Sequence, residues 1–152
     1  MYRSTEQGVH VVLVENHPAD EEHLAATLRE CGADHLLTVF YDGDEASHCL
    51  SGRKRWRAAR RPDVILLDLN LHKKNGLVLL TELRSNMSTR SIPVLILTSS
   101  QENVEILRTY QLDIDGFVIR PITVSGLQTL LERLPDLRSV NGTPQAMPCL
   151  IR

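Results

Sequence analysis

Short apolar runs alternate with segments of helical period along most of the chain. Val9 to Val14 reads as a buried strand, closed by Glu15 and Asn16. Pro18 suits a first helical position, and Leu24, Ala25, Leu28 and Cys31 then fall on one face of an amphipathic helix that Gly32 stops. Leu36 to Phe40 reads as a second strand, Asp44 to Leu50 as a short helix, and Val64 to Leu67 as a third strand ending at Asp68. Leu77, Leu80, Leu83 and Met87 mark the next helix, before a fourth strand, Val94 to Leu97, that ends at Thr98. A weaker helix over Gln101 to Tyr110, a short strand over Phe117 to Ile119 and a strong final helix marked by Val124, Leu127, Leu130, Leu131 and Leu134 complete the pattern.

Five strands alternating with five helices imply an α/β fold with a parallel sheet wound on both faces, because parallel neighbours need crossover helices. The pattern divides the chain into an N-terminal tail (1–7), one domain (8–135) and a C-terminal tail or arm (136–152) punctuated by Gly142, Pro144 and Pro148. The arm ends in an apolar stretch, Met147 to Ile151, suited to docking on a partner.

The length of 152 residues fits a single domain that needs no staple. Hydrophobic residues at 42% and charged residues at 24% exclude a wholly disordered chain. No apolar run exceeds four residues and the N-terminus lacks a signal peptide's apolar stretch, so a cytoplasmic protein without a membrane segment is expected. Cys31, Cys49 and Cys149 show no CxxC spacing and read as two buried thiols and one tail thiol. Arg53 to Arg61 holds six positive residues, no acid and Trp56. A solvated surface loop is the plain reading; a loop that contacts an acidic partner comes next, ahead of a nucleic-acid contact, which one short run does not specify.

Polar residues gather where the strands end. Glu15 and Asn16 follow the first strand, Asp68 ends the third, Thr98 ends the fourth and Arg120 follows the fifth. Open parallel sheets bind ligands at this edge. One such residue alone reads as a cap, but together they offer carboxylates, a hydroxyl and a cation. That chemistry suits Mg²⁺ together with a phosphoryl group. The six histidines form no HExxH pair, and no GxxxxGK phosphate loop exists.

With these residues in place, the sequence resembles the receiver domain of two-component response regulators. The resemblance is carried by VVLVEN, RPDVILLDLNLHKKNG, IPVLILTSSQE and GFVIRPIT, and by intervals of 30 residues from Asp68 to Thr98 and 22 from Thr98 to Arg120. It covers residues 8 to 135. The PAD after the first motif, the LDLNLxKKxG segment and the long loop before the third strand look most like the single-domain regulators that partner bacterial phytochrome histidine kinases. The resemblance implies a flavodoxin-like sheet in the order 2-1-3-4-5. It implies that Asp68 accepts a phosphoryl group from a kinase phosphohistidine, and that Mg²⁺ is held by Glu15, Asn16, Asp68 and the backbone carbonyl of Asn70. Thr98 and Arg120 would contact the phosphoryl oxygens, Phe117 would follow Thr98 inward, and Ser100 would tune hydrolysis.

Three positions depart from the family pattern. Asn16 stands where a second acid is usual, removing one negative charge from the Mg²⁺ site and weakening it. Arg120 stands for the usual lysine and presents a planar fork in place of an ammonium. His72 stands for a proline.

Three functions remain open on the sequence: a phosphoacceptor signalling protein, a degenerate receiver that works by binding alone, and an aspartate-based phosphohydrolase. The last lacks its proton donor, because Asn70 occupies the position of the second acid in a DxD pattern. The first is not an enzyme, apart from self-dephosphorylation. Its partners would be a sensor histidine kinase, a bacteriophytochrome, and a second copy of the chain. The copies would meet through the fourth helix, fifth strand and fifth helix, with Val104, Leu107 and Tyr110 supplying apolar contact and the C-terminal arm extending it. With only 18 residues from Pro135 onward, no DNA-binding domain is expected.

Overall fold

A computed structural model describes residues 8–15, 17–50, 61–69 and 75–137. The elements follow the alternation in the sequence: β1 (His10–Val14), α1 (Pro18–Cys31), β2 (Leu36–Phe40), α2 (Gly43–Leu50), β3 (Val64–Asp68), α3 (Gly76–Ser85), β4 (Val94–Thr98), α4 (Gln101–Arg108), β5 (Gly116–Ile119) and α5 (Val124–Arg133). A single 3-10 turn follows at Leu134–Asp136. All strand pairs are parallel, in the order β2-β1-β3-β4-β5. This is the doubly wound, flavodoxin-like architecture expected.

The three central strands read as unbroken apolar runs because helices cover both sheet faces. Val12, Val14, Ile65, Leu67, Val94, Ile96 and Phe117 pack on one face with Ala46 and Leu50 of α2, Leu79 and Leu83 of α3, and Val104 of α4. Val11, Leu13, Val64, Leu66, Leu95, Leu97 and Val118 pack on the other with Leu24 and Leu28 of α1 and Leu127 and Leu130 of α5. Leu137, beyond the turn, is buried with this second group. Edge strand β2 buries only Phe40.

The structure corrects several packing expectations. Helix α3 ends at Ser85, and Met87 lies beyond it at 79% exposure. Leu77 is exposed as well. The buried stripe is Gly76, Leu79, Leu80 and Leu83, with the three leucines packed in the core, and Asn75 caps the helix start by accepting from the Leu77 N–H at 2.7 Å. Asn86 then turns the chain, its Oδ1 accepting from the Ser88 N–H. Val104, assigned to a contact surface, is fully buried in the core, and the apolar residues that α4 and its end expose are Ile106 and Tyr110. Cys31 and Cys49 are half-buried rather than buried. Cys149, Trp56 and most of the basic run lie outside the described residues; Arg61 donates to Ser91 Oγ at 2.7 Å.

The parallel register levels the carboxyl ends of the strands. Val14 lies beside Leu67, Asp68 beside Leu97 and Thr98 beside Ile119. Glu15, Asp68, Thr98 and Arg120 therefore emerge at one edge. The crevice opens between β1 and β3, where the chain reverses its direction of travel across the sheet.

Candidate functional site

Asp68, only 4% exposed, ends β3 at this crevice. Arg120 donates from Nη2 to Asp68 Oδ2 at 3.0 Å. The same guanidinium donates from Nε to Asp20 Oδ2 at 2.7 Å. Its Nη2 also stands 4.0 Å from Glu15 Oε2. One arginine thus faces three carboxylates. Its backbone is fixed, since the Arg120 N–H donates to the Thr98 carbonyl at 2.9 Å. Just beyond Pro121, His23 Nε2 donates to the Ile122 carbonyl at 2.6 Å and ties α1 to this loop.

Glu15 is fully buried, and neither of its carboxylate oxygens has a hydrogen-bond partner. Burial, reinforced by the neighbouring Asp20 carboxylate, pushes its pKa up to about 7 against the opposing pull of the His17 backbone N–H and of Arg120. A buried carboxylate left in this way is costly unless something cationic meets it. Among the described residues no group of three or more histidine, cysteine or acidic side chains forms a ready-made metal cage. The donors present are hard oxygens from two carboxylates at an open cleft. That arrangement fits Mg²⁺, which binds few protein ligands and keeps several waters. Asn16, Asn70 and His72 lie outside the described residues.

The cleft holds about 510 Å³ and is lined by His17, Asp20, Asp68, Thr98, Asn103 and Arg120, among others. Thr98, 5% exposed, stands on the strand next to Asp68. Ser100 is tied up as the cap of α4, its Oγ accepting from the Asn103 N–H at 3.1 Å, and Asn103 itself lines the cleft. Phe117 is already inward, buried in the core with the Arg108 guanidinium 5.8 Å from its ring centroid.

Sequence reasoning gave no site role to three contributors. Asp20 was noted only as part of PAD; the signal for it was Arg120 itself, whose five donors call for more than one acceptor. His17, the residue before α1, places Nε2 3.8 Å from Asp68 Oδ2. Gly76 lets the start of α3 lie against the backbone at the end of β3. A Cβ there would stand 2.6 Å from the Leu69 Cα and 2.8 Å from the Asp68 carbonyl oxygen.

A parallel sheet of this order, with a buried aspartate at the end of its middle strand flanked by an acid, a hydroxyl and a strand-five cation, defines the receiver class of signalling domain. The response regulator receiver domain model matches residues 11–132, and the chain belongs to that family. Response regulator Rcp1 of Synechocystis sp. is 30% identical over 122 residues, 80% of this chain and 83% of that protein. The bacteriophytochrome response regulator AtBRR is 33% identical with a TM-score of 0.73, covering 84% of this chain and 93% of that one. The phosphorylated cyanobacterial phytochrome response regulator RcpA is 30% identical with a TM-score of 0.67, covering 85% and 92%. The protein is therefore a response regulator receiver whose relatives include regulators of phytochrome systems. Among the described residues no helix is long and apolar enough to cross a membrane.

Proposed function

We propose that this receiver takes a phosphoryl group on Asp68 from the phosphohistidine of a bacteriophytochrome-type sensor histidine kinase, and signals in the cytoplasm by protein contact. The observation that carries the reading is the Asp68 carboxylate: nearly buried, paired with Arg120 at 3.0 Å, and open to a cleft of about 510 Å³ that admits a phosphoryl group. The relatives described as phytochrome response regulators support the choice of kinase.

In the transfer, an Asp68 oxygen attacks phosphorus in line as the phosphorus–nitrogen bond breaks and the kinase imidazole leaves. Arg120 shifts Nη2 from the carboxylate to a phosphoryl oxygen, and Thr98 donates its hydroxyl to another. Mg²⁺, when bound, neutralises phosphoryl charge. Glu15 and Asp68 would hold it, with the side-chain oxygen of Asn16 and the carbonyl of Asn70; the amide at position 16 makes that hold weaker than an acid would. Self-dephosphorylation by water follows at the same group. Output passes through the α4–β5–α5 face, where a homodimer forms around Ile106 and Tyr110 and the 136–152 arm extends it.

Phosphotransfer from a radiolabelled phytochrome-type kinase tests the proposal. Label moving to this chain, and not to an Asp68→Asn variant, supports it; label that stays on the kinase overturns it. The second reading, a receiver that acts by binding alone, draws on Arg120 lying across the Asp68 carboxylate.

A further inference from the structure

Glu15 and Asp68 face a single cation, Arg120, at distances of 4.0 and 3.0 Å. If those three groups were the whole site, its net charge would be −1, a weak attraction for a divalent ion. Asn16 adds no charge. Asp20 does, and it lies at the same cluster, its Oδ2 2.7 Å from Arg120 Nε. We propose that Asp20 supplies the acid this cation pocket lacks at position 16, and at the same time positions Arg120 beside Asp68.

The proposal rests on the reading of Asp68 as an Mg²⁺-assisted phosphoacceptor and names a further residue of that site. With Asp20 included and Glu15 ionised the pocket carries −2, which matches a divalent cation. A second observation points to such an ion: Glu15 is fully buried, and neither of its oxygens has a hydrogen-bond partner. A guanidinium presents several donors in a fixed plane, and here Nε goes to Asp20 while Nη2 goes to Asp68. Asp20 can therefore keep Nε when Nη2 leaves the carboxylate for a phosphoryl oxygen. The group that must move is held by a pivot rather than released into solvent.

Both ends of this pivot are anchored. Asp20 sits in the first turn of α1, where its N–H donates to the His17 carbonyl at 3.0 Å. Three residues on, His23 fastens the same helix to the Ile122 carbonyl, two residues after Arg120. Asp20 is thus a positioning residue: it acts through charge and through Arg120. The competing account is an ordinary first-turn acid that favours the helix dipole. That role does not reach the affinity for Mg²⁺, and an acid at position 16 would not replace it.

Isothermal titration of Mg²⁺ into the full chain separates the two. Asp20→Asn is expected to weaken Mg²⁺ binding about tenfold, given one charge lost within several ångströms of the ion. Adding Asn16→Asp to that variant is expected to restore affinity to about the starting value, because it moves the charge rather than the fold. Asp20→Glu, which keeps the charge, should stay close to the parent and serves if Asp20→Asn folds poorly. Unchanged affinity in Asp20→Asn, or a loss that Asn16→Asp fails to repair, overturns the proposal. If the parent chain accepts phosphate while Asp20→Asn binds Mg²⁺ normally, only this inference falls. A parent chain that binds no Mg²⁺ at millimolar concentration removes both it and the Mg²⁺-assisted reading.

Discussion

Arg120 Nη2 donates to Asp68 Oδ2 at 3.0 Å across 52 residues of sequence. The pair is mostly out of water, with side-chain exposures of 21% and 5%. Deleting one member leaves the other charge poorly compensated, and here it leaves Glu15, Asp20 and Asp68 facing one another. Arg120→Ala is expected to cost about 3 kcal/mol in urea unfolding without metal at neutral pH. Millimolar Mg²⁺ should recover part of that loss. A variant as stable as the parent contradicts the arrangement.

Gly76 packs against the backbone of Asp68 and Leu69. Any side chain there meets the backbone of Leu69 and Asp68 rather than a yielding side chain. Gly76→Ala is expected to cost about 1–3 kcal/mol, as overpacking does. It should also slow phosphoryl uptake, because the displaced backbone carries the acceptor. Matched urea melts and uptake rates check both effects.

Glu15 makes the metal-free protein sensitive to pH. Its pKa rises from 4.5 to about 7 on folding, so between those values the folded state binds more protons than the unfolded one. The contribution of Glu15 to stability is therefore fully present below pH 4.5 and is lost as pH rises through 7. Urea unfolding without metal should show this slope, and Glu15→Gln should flatten it. Mg²⁺ binding runs the other way, since it needs the ionised carboxylate. Its affinity should fall about tenfold per unit as pH drops below 7.

The exposed Ile106 and Tyr110 give the dimer proposal a specific surface. Light scattering after size exclusion is expected to show a dimer at micromolar concentration, shifted to monomer by Ile106→Asp. A clean 17.1 kDa species from the parent chain contradicts it. Because Leu137 belongs to the core, the arm is tested from residue 138: removal of residues 138–152 without effect on the dimer takes it out of the interface.

The strands were legible because burial on both faces leaves unbroken apolar runs, and their polar ends gave Glu15, Asp68, Thr98 and Arg120 directly. The short helices were less so. In α4, eight residues long, period alone does not say which apolar side chains turn inward, and Val104 and Ile106 are told apart only by the sheet beneath. Leu80 and Leu83 of the expected α3 stripe are buried, but Leu77 in the first turn is exposed and the turn at Asn86 ends the helix before Met87. Asp20 was hidden for another reason. Its partner Arg120 lies 100 residues away, and only the packing of α1 against the loop after β5 brings them together.

The central claim, that Asp68 accepts a phosphoryl group, is tested most directly by intact-mass spectrometry after incubation with acetyl phosphate, with and without Mg²⁺. The account predicts a Mg²⁺-dependent gain of one phosphoryl mass that Asp68→Asn abolishes. No gain with either the donor or beryllofluoride, in a folded protein with Mg²⁺ present, would contradict it and leave a receiver that works by binding alone.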